Sequence, residues 1–227
     1  MEERAATVAA VNFFGHSFVA TWSPDSSPSY VLGAMLPDFA SLSGARSLAA
    51  GDAEVARGVA LHHRTDDAFH GAPTFVAQMI DARARFTHAG LPNGASRAAA
   101  HIGIELLLDG TLVNDPRASG AFLEAMEGLR EEQVVFGGPA DAARFWEFHR
   151  LVRGYGVPYG YTDPTFVAAR IAGALAHRPR LALGSTPIAD VARVLAALAP
   201  LVRASADTLL DEVRAGLTAP REVRVTT

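Results

Sequence analysis

The densest chemistry in this chain lies in Gly58-Val59-Ala60-Leu61-His62-His63-Arg64-Thr65-Asp66-Asp67-Ala68-Phe69-His70, where six ionisable side chains fall within nine residues. Residues four apart share a helix face, so His62 pairs with Asp66, and His63 pairs with Asp67, extended by His70. Imidazole nitrogen and carboxylate oxygen at that spacing form a donor set for a borderline or hard divalent cation. For either pair alone, a hydrated helix end is the other reading. A second segment, His101-Ile102-Gly103-Ile104-Glu105-Leu106-Leu107-Leu108-Asp109, weighs against it. His101, Glu105 and Asp109 keep within an arc of about 80° on a helix. Ile102, Ile104, Leu106, Leu107 and Leu108 make that helix apolar over most of its circumference, so it should be buried. Ionised carboxylates there need a partner. Either a salt bridge to Arg64 or Arg97 supplies it, or a cation shared with the first segment.

Other residues extend the set. His16, in Asn12-Phe13-Phe14-Gly15-His16-Ser17-Phe18, is the polar exception in an aromatic helix, as a hydrogen-bonded core residue or as a ligand. Asp38, between Pro37 and Phe39, either caps a helix end or coordinates something. His88, His149 and His177 fall at helix ends or beside arginines, which suits surface or helix-dipole roles. The nucleophile elbow, Walker loop and dinucleotide fingerprint are absent from the sequence. With no cysteine, any metal is held by His, Asp, Glu, amides, hydroxyls and water, which favours Mn, Fe, Mg or a His/carboxylate Zn site.

These side chains must be positioned by helices. The spacing of apolar residues and the Gly/Pro/Ser punctuation predict helices over residues 5–21, from Ser29 with a break or kink at Pro37, from an N-cap at Asp52 to His70, and from Pro73 to His88. Further helices are expected from Ser96 to Asn114, then over 117–133, 141–153, 163–177 and 188–215, with a frayed tail from Thr218. No stretch alternates with period two, so no strand is expected. The expected fold class is all-α: a single compact multi-helix domain over residues 1–227.

Composition narrows the function. The 227 residues, 49% hydrophobic and 19% charged, suffice for one full core. A net charge of -4 gives no support for nucleic-acid binding. The acidic opening Met-Glu-Glu-Arg makes a poor signal peptide, and no run approaches a membrane span. A cytoplasmic protein is expected. That every basic residue is arginine follows from GC-rich coding and carries no functional meaning.

Taken in order, the segments resemble the acyl-carrier-protein phosphodiesterase family, divergent relatives of the HD-type metal phosphohydrolases. Asn12-Phe13-Phe14-Gly15-His16 is similar to that family's opening Asn-Phe-Leu-Ala-His, and Gly33-Ala34-Met35-Leu36-Pro37-Asp38-Phe39 to its glycine-to-Asp-Phe segment. Gly58 to Asp66 resembles its Gly-Ile-x-x-His-Arg-Arg-Ile-Asp signature, and Glu105 to Asp109 its Asp-x-x-x-Asp-His segment. His177-Arg178-Pro179-Arg180-Leu181 is similar to an Arg-Arg-Pro-Arg-Leu run. The likeness spans residues 12–181. It implies an HD-like helical arrangement, a divalent metal with Mn preferred, and removal of 4'-phosphopantetheine from holo acyl carrier protein. It also implies site positions at His16, Asp38, His62, Asp66, Glu105 and Asp109. Three departures stand out: Gly110 replaces the histidine of the Asp-His pair, His70 replaces an acid, and His63 replaces the signature's first arginine.

The residues themselves support a compatible chemistry. Asp38, Asp66, Glu105 and Asp109, with His62 as nitrogen ligand, would hold a cation that polarises a phosphoryl oxygen and generates hydroxide. His63, His16 or His101 would relay protons. Arg64 would either bind substrate phosphate or neutralise the carboxylates. Three functions compete. The first is a metal-dependent phosphodiesterase acting on phosphopantetheinylated carrier protein, with a basic rim from Arg46, Arg57, Arg64, Arg83, Arg85 and Arg97. The second is a hydrolase or lyase of a small, phosphorylated metabolite, with a closed pocket lined by Trp22, Phe69 and Tyr161. The third is a non-catalytic metal-binding protein acting through a partner.

Overall fold

The structure is a computed structural model and describes residues 13–45 and 47–219. Its helix boundaries follow from capping chemistry. Helix α1 (Phe13–Ala20) is the described part of the expected first helix; residues 5–12, including Asn12 of the opening motif, lie outside the described residues, as do Arg46 and residues 220–227. Helix α2 (Pro28–Ser43) opens with Pro28 in its first turn and Ser27 Oγ accepting the Tyr30 N–H at 3.2 Å. It closes on Gly44, whose φ of 70° is the left-handed conformation a glycine adopts without strain. Of the break or kink expected at Pro37, the break is absent: α2 runs through it. One missing N–H is outweighed by the burial of Val31, Leu32, Met35, Leu36 and Phe39 along the same helix.

Asp52 caps α3 (Ala53–Gly71), its Oδ1 accepting the Val55 N–H at 2.8 Å as the sequence anticipates. Helix α4 (Pro73–His88) follows directly, and α5 (Asn93–Leu112) begins a turn before the expected Ser96. Then come α6 (Pro116–Glu127), α7 (Pro139–Tyr155), α8 (Pro164–Leu175) and α9 (Ile188–Thr218). The expected helix over 117–133 is shorter. After Glu127 the chain makes a 3-10 turn at Glu131–Gln133 and then strand β2 (Val134–Phe136), which pairs antiparallel with β1 (Leu48–Ala50). Three residues per strand are too few to show a period of two, so this ribbon left no pattern in the sequence. The described residues are thus nine α-helices and one small ribbon, an all-α fold over one hydrophobic core.

Two packing features set up the site. Helices α2 and α3 cross at a pair of glycines: a Cβ on Gly33 would lie 2.2 Å from the Val55 carbonyl oxygen, and one on Gly58 would lie 2.2 Å from that of Tyr30. Only glycine allows this backbone approach. Helix α1 lies against α2, α3, α5 and α6. Phe13 packs edge-on to Phe39, and Phe13 and Phe14 both meet Phe122, so the His16 that follows is driven into the interior. The long α9 packs against α3, α4, α5 and α8. No described helix is long and apolar enough to cross a membrane.

Candidate metal centre

The glycine crossing brings the Ala34 carbonyl to 2.9 Å from His62 Nδ1. A carbonyl only accepts, so Nδ1 carries the proton and Nε2 of the neutral ring carries a lone pair. Burial, followed by the neighbouring His16, pushes the His62 imidazole down to about 4, so the neutral ring is the resting state. His62 Nε2 faces Asp66 Oδ2 at 3.5 Å. Two electron-pair donors thus confront each other, an arrangement that calls for a cation between them. An N–H donated to a backbone carbonyl is also how metal-binding histidines are commonly fixed in orientation.

His16 completes the group from α1. Its Nε2 is 3.3 Å from Asp66 Oδ1 and 3.8 Å from Asp38 Oδ2, and its ring lies 4.0 Å from that of His62. Although His16 is buried, neither ring nitrogen has a hydrogen-bond partner, and Asp38 Oδ2 has none either. Ligand atoms of His16, His62 and Asp66 all lie within 4.8 Å of one another. The 3.3 and 3.5 Å separations match the edge of a tetrahedral centre with bonds of about 2.1 Å, which is about 3.4 Å. Orphaned buried atoms at coordination spacing fit a divalent ion.

The electrostatics of the metal-free chain point the same way. Burial pushes the Asp38 carboxyl up to about 7, only partly offset by His16. Burial opposes charge on His16, yet Asp66, Asp38 and Glu105 together outweigh it and raise its pKa. Burial also disfavours the Asp66 anion, but His16, His62 and His70 outweigh that and lower its pKa. The cluster thus draws in positive charge, here as protons. Among the described ion pairs, those of Asp38, Asp66 and Glu105 are all with imidazoles, and none is with Arg64 or Arg97, the alternative partners for the acids of the second segment.

Glu105 sits in a second group. His101 Nε2 lies 2.9 Å and His70 Nε2 3.4 Å from its Oε1. Burial would raise the pKa of Glu105, but hydrogen bonds from His101 and His70 lower it, and the bond to Glu105 raises that of His101. Asp109, expected as a ligand, instead accepts the Gly15 N–H at 2.8 Å and anchors the segment that carries His16. Burial pushes its pKa well above the usual carboxylate range, and Oδ2 is without a partner.

Several expected site residues lie elsewhere. His63, Arg64 and Asp67 are exposed and belong to neither ligand group. Arg64 donates to the Leu217 carbonyl near the end of α9, and it shares a surface cleft with Asp67. His70, expected to extend the His63/Asp67 pair, instead meets Glu105 and His101. Gly110 has its own explanation: a Cβ there would lie 2.2 Å from the Tyr161 carbonyl oxygen, so the Tyr159–Thr162 turn occupies the space a histidine would need. Tyr161 itself is buried, its hydroxyl pushed up to about 12 by burial. Tyr155, Tyr159 and Tyr161 line one cavity of about 520 Å³, with Phe13 and Phe166. Of the other residues a small-metabolite pocket would gather, Trp22 stacks under Arg214 and Phe69 packs on Phe75. His149, expected at the surface, is buried, with Nε2 donating to the Met126 carbonyl at 2.9 Å.

One groove adjoins the cluster that sequence reasoning missed. It lies between α4 and α5, holds about 760 Å³, and is lined by Phe75, Val76, Met79, Ile80, Arg83 and Arg97 among others. Phe75 at its edge touches both His70 and His101. The i, i+4, i+7 spacing of Val76, Ile80 and Arg83 along one helix face was the available sequence signal.

No protein-family model matches the chain, and neither a curated protein nor a solved structure was found to match it.

Proposed function

We propose that this chain is a metal-dependent phosphodiesterase or phosphohydrolase whose divalent cation is held by His16, His62 and Asp66, with Asp38 beside them. The observation that carries the reading is the confrontation of His62 Nε2 with Asp66 Oδ2 at 3.5 Å while Nδ1 is committed to Ala34. When bound, the cation supplies a Lewis acid for a phosphoryl oxygen and lowers the pKa of a water. The residues do the rest. Asp66, half-exposed, forms the solvent-facing edge of the site, and the buried His16 and His62 close its floor. Asp38, beside the ligands and with its buried Oδ2 unpartnered, is placed to take a proton from an attacking water. Asp109 holds α1 in register through Gly15.

The resemblance noted in the sequence supports phosphopantetheinylated acyl carrier protein as substrate, with Mn as the ion. An apolar groove flanked by Arg83 and Arg97 suits an arm ending in phosphate, and it equally suits a small phosphorylated metabolite. The test is metal analysis of the purified chain, then mass spectrometry of holo carrier protein and phosphate release from a panel of phosphoesters with and without Mn²⁺. Metal-dependent loss of the prosthetic arm is the expected result. A chain that binds no divalent ion and hydrolyses neither substrate class overturns the reading.

A further inference from the structure

The group around Glu105 repeats the composition of the first. There, an i, i+4 His/carboxylate pair on α3 (His62, Asp66) meets a histidine from α1; here, an i, i+4 pair on α5 (His101, Glu105) meets His70 from α3. Ligand atoms of His70, His101 and Glu105 lie within 4.8 Å of one another, and the two imidazoles converge on a single oxygen of Glu105. That oxygen belongs to a buried carboxylate, held by both imidazoles. Phe75 packs against both rings, and Phe69 against His70, which fixes their planes before anything binds. Unlike the first group, the histidines here are open, with side chains 39% and 42% exposed. Coordination positions on that side are therefore free for water or a substrate oxygen.

We infer that His70, His101 and Glu105 form a second divalent-cation site, separate from the one at His16, His62 and Asp66, at the end of the α4/α5 groove. His70 lies one helical turn from Asp66, about 6 Å along α3, so the two sites belong to one strip. The second cation faces the groove between Arg83 and Arg97 and receives the anionic group of the substrate, while the buried site serves the attacking water. This role rests on the proposed hydrolase reading; cation binding itself is measured independently of it.

The experiment uses the full chain, stripped with chelator and titrated with Zn²⁺ and with Mn²⁺ by calorimetry, with bound metal counted by elemental analysis. Two equivalents are expected for the wild type, the tighter one at the buried site. His101→Ala and His70→Gln should each bind one, while His62→Ala loses the other. His70→Gln alters an exposed side chain and serves as the folding control, checked by circular dichroism. If the wild type and both variants each bind one equivalent, the second site is wrong and the hydrolase reading stands. If the folded variants bind none, the two groups are a single site and the inference fails. A wild type that binds no ion removes both proposals.

Discussion

The two His/carboxylate groups use the same residue types at the same spacing, yet their surroundings separate them. In the first, His62 is committed by Ala34 to a neutral tautomer, and His16 and Asp38 keep unpartnered buried atoms. In the second, both imidazoles already hydrogen-bond Glu105 and their rings reach solvent. Burial with unmet lone pairs favours a resident ion, because the alternative is an uncompensated cost. Exposure with met hydrogen bonds favours an exchangeable one, because an ion must displace protons that are well placed. Environment, and not composition, assigns the two roles.

The largest effect should come from the first group. Asp66→Asn keeps the shape but removes the charge shared by His16 and His62, so metal-dependent turnover should fall to background. The loss should exceed the roughly 10–100-fold expected when only a residue behind a ligand is changed. Elemental analysis should show the tight equivalent gone while the melting curve remains cooperative. Retained turnover would break the contrast between the groups and move the chemistry to Glu105.

Next in size is the glycine crossing that fixes His62. Gly58→Ala places a methyl 2.2 Å from the Tyr30 carbonyl, a backbone atom that cannot swing aside. Separating α2 from α3 should cost about 1–3 kcal/mol and, by pulling Ala34 from Nδ1, weaken the tight metal about 10–100-fold. Titration of the folded fraction measures the second effect separately from the first. Unchanged affinity would mean that the Ala34 contact does not set the tautomer.

Much of this was legible in the sequence. Asp52, Pro73 and Asp163 marked helix starts because capping and proline chemistry act locally, whereas Asp115 and Pro116, read as the end of one helix, also open the next. The His62/Asp66 and His101/Glu105 pairs were legible because four residues make a turn. The choice between His62/Asp66 and His63/Asp67 was not, since Leu61 and Thr65 give the helix no decisive apolar side and only the crossing with α2 settles which face is buried. Arg64 was misjudged because its partner, Leu217, lies 153 residues away on α9. The meaning of Gly110 depends on a turn fifty residues further on. Short-range chemistry can be read from neighbours in sequence; convergence is decided by packing.

A smaller effect concerns pH and should appear only in the metal-free chain. Asp38 has a folded-state pKa of about 7, above its ordinary value of 3.8, so the folded chain holds that proton more tightly than the unfolded one. The resulting stabilisation is full below the unfolded value and is lost as pH rises through about 7. His16, also raised, acts in the same direction. His62 acts oppositely, but its contribution is complete above its ordinary 6.5. Chelator-treated protein should therefore melt lower at about pH 8 than at about pH 6.5, and Asp38→Asn should flatten that slope. Divalent ion should reverse the trend, adding about 2.7 kcal/mol at a hundred times its dissociation constant. A slope unchanged in Asp38→Asn would place the titration outside the first group.

The smallest effect should come from the residues that share α3 with the site but belong to neither group. His63 is exposed, its ring meeting that of His62 only edge-on at 5.3 Å, and it belongs to neither group. Arg64 spends its guanidinium on the Leu217 carbonyl. The resemblance leaves an imidazole missing at Gly110, but the Tyr161 carbonyl fills the space it would need. His63→Ala and Arg64→Ala should each shift stability by no more than about 0.5 kcal/mol, with metal content and turnover as in the wild type. Metal content, melting temperature and turnover measured together distinguish the alternatives. If His63→Ala keeps its metal but loses turnover, a solvent-facing imidazole supplies the proton, and the division between an inner and an outer face of α3 fails. If Arg64→Ala raises the substrate KM without changing kcat, that guanidinium leaves Leu217 to bind phosphate, and the substrate enters along α9 instead of the α4/α5 groove.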